Sequence, residues 1–107
     1  MPLRIRITPA ALDEIDGITR YIGSLNAEAA SRFYDAIDSA LQTLADAPRI
    51  GSVRRFRNRR IGELRMWPIQ EFPDRLIFYR VSEDVLEIVH VLHSAQDYRR
   101  QLGPESE

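Results

Sequence analysis

Cysteine is absent from the 107 residues, and so is lysine: all fifteen basic residues are arginine. Without cysteine there is no disulfide, no thiolate nucleophile and no cysteine-ligated metal. Histidine is limited to His90 and His93, too few for a zinc site unless carboxylates complete it. No metal and no cofactor are expected. No apolar run approaches the roughly 20 residues that span a bilayer. Residues 1–8 alternate arginine with aliphatics, unlike the apolar block of a signal peptide. A cytoplasmic protein without a membrane partner is the resulting expectation. Hydrophobic content of 44% and charged content of 29% are those of an ordinary globular chain. Its length holds one two-layer core and not two, so residues 1–107 read as a single domain, with a core over about 3–97 and a tail over 98–107.

What is present is unevenly spread. Residues 1–48 carry a net charge of −3, residues 49–65 carry +6, and residues 66–107 carry −4. Codon or lineage bias is the plain explanation of an arginine-only composition, but bias does not gather seven arginines against Glu63 alone in seventeen residues. Arg54, Arg55, Arg57, Arg59 and Arg65 in this block are candidates for contact with an anionic partner surface, against the plainer reading of a solvated loop.

The order of elements is legible. Leu3, Ile5 and Ile7 alternate with arginines, as in a half-exposed strand. Thr8 followed by Pro9 has the form of an N-cap with proline at the first helical position. Ala11, Ile15, Ile18, Ile22 and Leu25 make one apolar helix face; Gly23 and Ser24 are expected to break that helix, and Asn26 to cap the next. Ala30, Phe33, Ile37, Leu41 and Leu44 form a second stripe, which Ala47 and Pro48 stop. Residues 49–60 read as an arginine-rich loop. A strand over about 61–70 follows, with Pro68 implying an edge or a bulge. Residues 76–81 and 85–92 are apolar runs joined by Ser82, Glu83 and Asp84, a buried β-hairpin. From Ser94 a further helical turn is expected, fraying at Gly103. The fold class is therefore α+β in two layers, β-α-α-β-β-β, with an antiparallel helical hairpin on one face of a small antiparallel sheet. The other face has no cover in this reading, and a partner is expected to supply one.

The motifs resemble a known family. LIFYRV at residues 76–81 followed by EIVHVLHSAQD at 87–97 resembles the closing hairpin of the ParE/RelE toxin superfamily. Asp13 and Ile15, Tyr21 and Ile22, Phe33, Leu44, Pro48 and Gly51, and then Arg65, Trp67, Ile69 and Phe72 follow in the family's order over roughly residues 3–97. In the RelE branch, basic side chains after the last strand assist messenger-RNA cleavage on the ribosome. The matching positions here are Ala95 and Gln96, and neither can offset phosphate charge. The resemblance therefore leans to ParE, whose members poison DNA gyrase by binding it. It implies a type II toxin that is not an enzyme, a ParD-like ribbon-helix-helix antitoxin as partner, gyrase as target, and DNA contact only through either of these. The alternatives are a RelE-type ribosome-dependent endonuclease and a non-toxic antitoxin-binding remnant.

Several residues carry two readings. His90 and His93 are three apart on a strand and point to opposite faces, so packing or hydrogen bonding is expected of both, although His93 near the strand end stays a partner candidate. Tyr79 is expected in the core, with its hydroxyl a candidate contact. Trp67, the only tryptophan, is divided between packing and partner contact. Asp13, Glu14 and Asp16 are expected to complement the dipole of the first helix.

Overall fold

The computed structural model describes residues 2–106, and within them leaves out the side chains of Ala95 and Gln96. The departure from the RelE pattern at those two positions thus lies outside the described residues. Strand β1 (Arg4–Ile7) leads into helix α1 (Pro9–Leu25), then α2 (Ala27–Asp46), β2 (Ser52–Arg55), β3 (Glu63–Ile69), β4 (Phe72–Ser82), β5 (Val85–His93) and α3 (Ala95–Leu102). The expected order of a strand, two helices and then strands in an α+β fold is the observed one.

Local chemistry sets the helix ends. The Thr8 hydroxyl accepts the Ala11 N–H at 3.1 Å, a cap contributing about 1 kcal/mol. Asn26 alone separates the two helices. Its N–H donates to the Ile22 carbonyl at 2.8 Å, closing α1, while its side-chain oxygen accepts the Ala29 N–H at 3.1 Å, opening α2. Gly23 and Ser24 do not break α1, which runs on to Leu25.

The sheet order is β1-β5-β4-β3-β2. Pairing is antiparallel except that β1 lies parallel to β5, Ile5 opposite Leu86, so the sheet is mixed where a purely antiparallel one was expected. β1 and β5 are joined by the whole chain between Thr8 and Asp84, long enough for the crossover that a parallel pair requires. The presumed loop over 49–60 contains β2, whose four residues pair with 63–66. Arginines on an edge strand blunt edge-to-edge association, and that run of charge conceals the strand from a hydrophobicity reading. Pro68 falls at a register shift in β3, beyond the reach of β2, where a missing N–H costs nothing.

The helices pack on one face, where Phe33, Ile37, Leu44, Ile77, Tyr79, Leu86 and Ile88 form the main core. The opposite face is covered as well, contrary to the sequence reading. Tyr98 and Leu102 of α3 close over Phe56, Leu64, Leu76, Phe78 and Leu92. They stand four apart, one helical turn, and the Phe78 and Tyr98 rings lie 5.1 Å apart. The protein supplies its own second layer.

Strand β5 carries a bulge. Tyr79 pairs with Ile88 and Phe78 with His90, leaving Val89 over. The N-cap and second turn of α1 satisfy the displaced backbone: the Thr8 hydroxyl donates to the Val89 carbonyl at 2.8 Å, and the Glu14 carboxylate accepts the Val91 N–H at 2.9 Å. The same carboxylate meets His90 Nδ1 at 2.9 Å. Glu14 is a clamp on the bulge, a role no local dipole argument reveals.

Candidate partner-binding surface

The segment between α2 and β2 is pinned from below. Tyr79, fully buried in β4, donates its hydroxyl proton to the Pro48 carbonyl at 2.8 Å and accepts the Gly51 N–H at 2.9 Å. Burial raises the pKa of its phenol above the ordinary 10.0, against the lowering effects of the Gly51 hydrogen bond and the Arg65 charge. The Arg65 guanidinium donates through Nη1 to the carbonyls of Arg49 and Gly51, at 3.1 and 2.8 Å. Tyr79 and Arg65, both named as contact candidates, use their polar atoms to hold this turn.

The other arginines divide. Arg55 pairs with Glu63 at 3.1 Å, and Arg54 lies 3.8 Å from Glu105. Arg57 and Arg59 are exposed and make no ion pair among the described residues. His93 faces Asp74 across the β4–β5 pair at 3.1 Å. His90 and His93 thus meet different carboxylates. Among the described residues no group of three His, Cys, Asp or Glu side chains stands close enough to hold a metal ion.

Trp67 is half-buried and lines an apolar groove. A groove of about 600 Å³ runs between α2 and the β3–β4 hairpin, walled by Ala36, Ser39, Ala40 and Thr43 on one side and by Trp67, Pro68, Ile69 and Pro73 on the other. Small side chains at spacings of three and four on α2 keep that helix face low, and Phe72, edge-on to Phe33 at 5.2 Å, ties the hairpin to the helix. Arg32, Asp35 and Glu71 stand at the rim. The signal was in the sequence as the small-residue stripe beside the main stripe of α2, and it was missed because alanine and serine read as filler. Such a channel can take an apolar ridge, with charges at its border to set register.

A family model described as the ParE toxin of the type II toxin–antitoxin system parDE matches residues 5–98. The chain belongs to the ParE toxin family. A Sinorhizobium fredii protein (strain NBRC 101917 / NGR234) named "Putative toxin Y4kP" is 36% identical over 99 residues, covering 92% of this chain and 96% of that protein. A solved structure described as "Chromosomal ParDE TA system from P. aeruginosa" shares the fold. Its TM-score is 0.69, over 87% of this chain and 97% of that one, at 16% identity. The family match takes in α1 and α2, the groove and the pinned turn. It ends at Tyr98, leaving most of α3 and the segment after it outside.

Reversing the charge of Arg57 and Arg59 to glutamate should leave the urea midpoint nearly unchanged, since exposed charges contribute under about 1 kcal/mol each. It should weaken association with an anionic partner and flatten the salt dependence of that association. Unchanged affinity and salt dependence would reduce the pair to a solvated loop.

Proposed function

We propose that this ParE-family toxin arrests bacterial growth by binding DNA gyrase, without a covalent reaction of its own, and that a ParD-like ribbon-helix-helix antitoxin neutralises it by laying an amphipathic segment in the α2–hairpin groove. The observation that carries the reading is the family match over residues 5–98. The groove supports the second half, being apolar along its walls and charged at its rim. The binding mechanism is supported by how the polar groups are spent. Glu14 and His90 hold the bulge, Tyr79 and Arg65 hold the turn after α2, and neither position 95 nor 96 offers a basic side chain for phosphoryl transfer. The antitoxin's seat is the groove rather than the second sheet face, because α3 already fills that face.

Induction of the toxin alone should halt growth, and the purified protein should inhibit gyrase supercoiling or trap its cleaved complex. Co-expression with the cognate antitoxin should reverse both effects. Codon-dependent cleavage of ribosome-bound message would overturn the gyrase reading in favour of a RelE-type endonuclease. Gln96→Arg by itself should create no such cleavage, since Ala95 also lacks a charge and the reaction needs several placed groups.

A further inference from the structure

The outer edge of β2 is occupied by the chain itself. The Arg57 N–H donates to the Pro104 carbonyl at 3.1 Å and the Ser106 N–H donates to the Arg55 carbonyl at 2.8 Å. Phe56 and Glu105 thereby stand opposite each other as an antiparallel bridge. The Glu105 side chain is held too: the buried Tyr98 hydroxyl donates to Oε2 at 3.0 Å, and Arg54 Nη1 lies 3.8 Å from Oε1. This edge therefore reads two backbone groups and one carboxylate, a sheet edge extended by an added strand.

We propose that the outer edge of β2 is a docking site for an extended acidic segment of a partner protein, and that residues 104–106 occupy it in the partner's absence. Three observations point to an exchangeable occupant of this chemistry. The cover is short and lies at the surface, resting on two backbone hydrogen bonds and one carboxylate. Charge favours acid at this edge, because β2 and the turn after it carry Arg54, Arg55, Arg57, Arg59 and Arg60, while Arg54 Nε is buried without an acceptor among the described residues. The edge also continues past the cover. Strand groups alternate direction with a period of two, so Val53, half exposed, presents its N–H and C=O on the same outer line as Arg55. A longer incoming strand gains hydrogen bonds there that residues 104–106 do not make. The tail competes from an effective concentration on the order of millimolar, which sets the threshold a partner segment must exceed.

The test uses the 107-residue chain with Glu105→Arg, which opposes Arg54, and a synthetic peptide of residues 102–107. Amide hydrogen exchange at Arg57 and Ser106 should accelerate in the variant while exchange in β4 and β5 stays slow. The peptide should bind the variant about tenfold more tightly than it binds the unmodified protein, and the same peptide carrying Glu105→Gln should lose about tenfold. Ser106→Pro removes the second donor without touching the core and should reproduce the gain if Glu105→Arg folds poorly. Unchanged exchange at Arg57 in both variants would overturn the proposal, as would a freed edge that takes no peptide. Dimers of the unmodified chain formed by exchanged tails would overturn it in favour of a second copy as the occupant.

Discussion

Replacing Gly51 by valine should destabilise the protein by about 2–6 kcal/mol, a large part of the roughly 5–15 kcal/mol that holds a domain of this size. A Cβ built on Gly51 would lie 2.5 Å from the Tyr79 hydroxyl oxygen and 2.8 and 2.9 Å from two ring carbons. Tyr79 has no room to retreat, because it is fully buried in β4 and belongs to the main core. The chain must then move the turn or the ring. Either response overpacks the core, at about 1–3 kcal/mol, and breaks the hydroxyl's bonds to Pro48 and Gly51, leaving buried groups unpaired at about 1–3 kcal/mol. Tyr79→Phe keeps the ring and loses only those bonds, so its effect should be the smaller of the two. In the double variant, with the oxygen gone, the ring carbons still crowd the new side chain, and rescue should be partial. Urea midpoints of the three variants test the order. A Gly51→Val protein as stable as the parent would contradict it.

The same tyrosine gives a pH signature. Its folded-state pKa is raised, chiefly by burial, so the native state holds the phenolic proton more tightly than the unfolded chain does. Stability from this group is complete below the unfolded value near 10 and falls as pH climbs above it. Tyr79→Phe should be less stable at neutral pH but should lose less on going to alkaline pH.

Elements governed by local periodicity could be read from the chain. The stripes of α1 and α2 and the β4–β5 hairpin repeat at 3.6 and 2 residues, and Thr8–Pro9 carries its own cap chemistry. What escaped was decided at long range. Nothing within residues 4–7 says that their partner will be β5 or that they will run parallel to it. Arg54 and Arg55 look like loop residues because an edge strand can be charged on every side. Tyr98 and Leu102 did carry a signal, an apolar pair one turn apart in a polar tail, and it sufficed to cover the second sheet face. The same limit applied to the candidate site. Arg65, Tyr79 and Glu14 resemble contact or dipole residues in the sequence, yet each answers backbone groups that another element leaves open, a need visible only after folding. The groove escaped for a different reason: it is defined by small side chains, whose contribution is the space they leave.

That space sets the last expectation. Ser39→Trp should lower affinity for the antitoxin about a hundredfold, or ~2.8 kcal/mol, without loss of fold. Ser39 is exposed on α2 and lines the groove together with Ala36, Ala40 and Thr43. A tryptophan there can lie along the apolar walls toward Trp67 and Pro68, covering surface that an antitoxin segment seated in the groove would need, since an indole buries about 150–250 Å². Its cost to the free toxin is small, because an exposed helical position away from caps and core tolerates substitution within about 0.5 kcal/mol. Asp38→Trp, on the same helix but outside the groove lining, controls for bulk and should change affinity little. Calorimetry on the purified pair gives the affinities, and thermal unfolding of each free variant gives the stabilities. In cells, the Ser39→Trp toxin should still arrest growth, and antitoxin co-expression should no longer restore it. Rescue as complete as for the parent, with unchanged affinity, would move the antitoxin's seat away from this groove, whereas loss of arrest without loss of fold would mean that the same wall also meets the target.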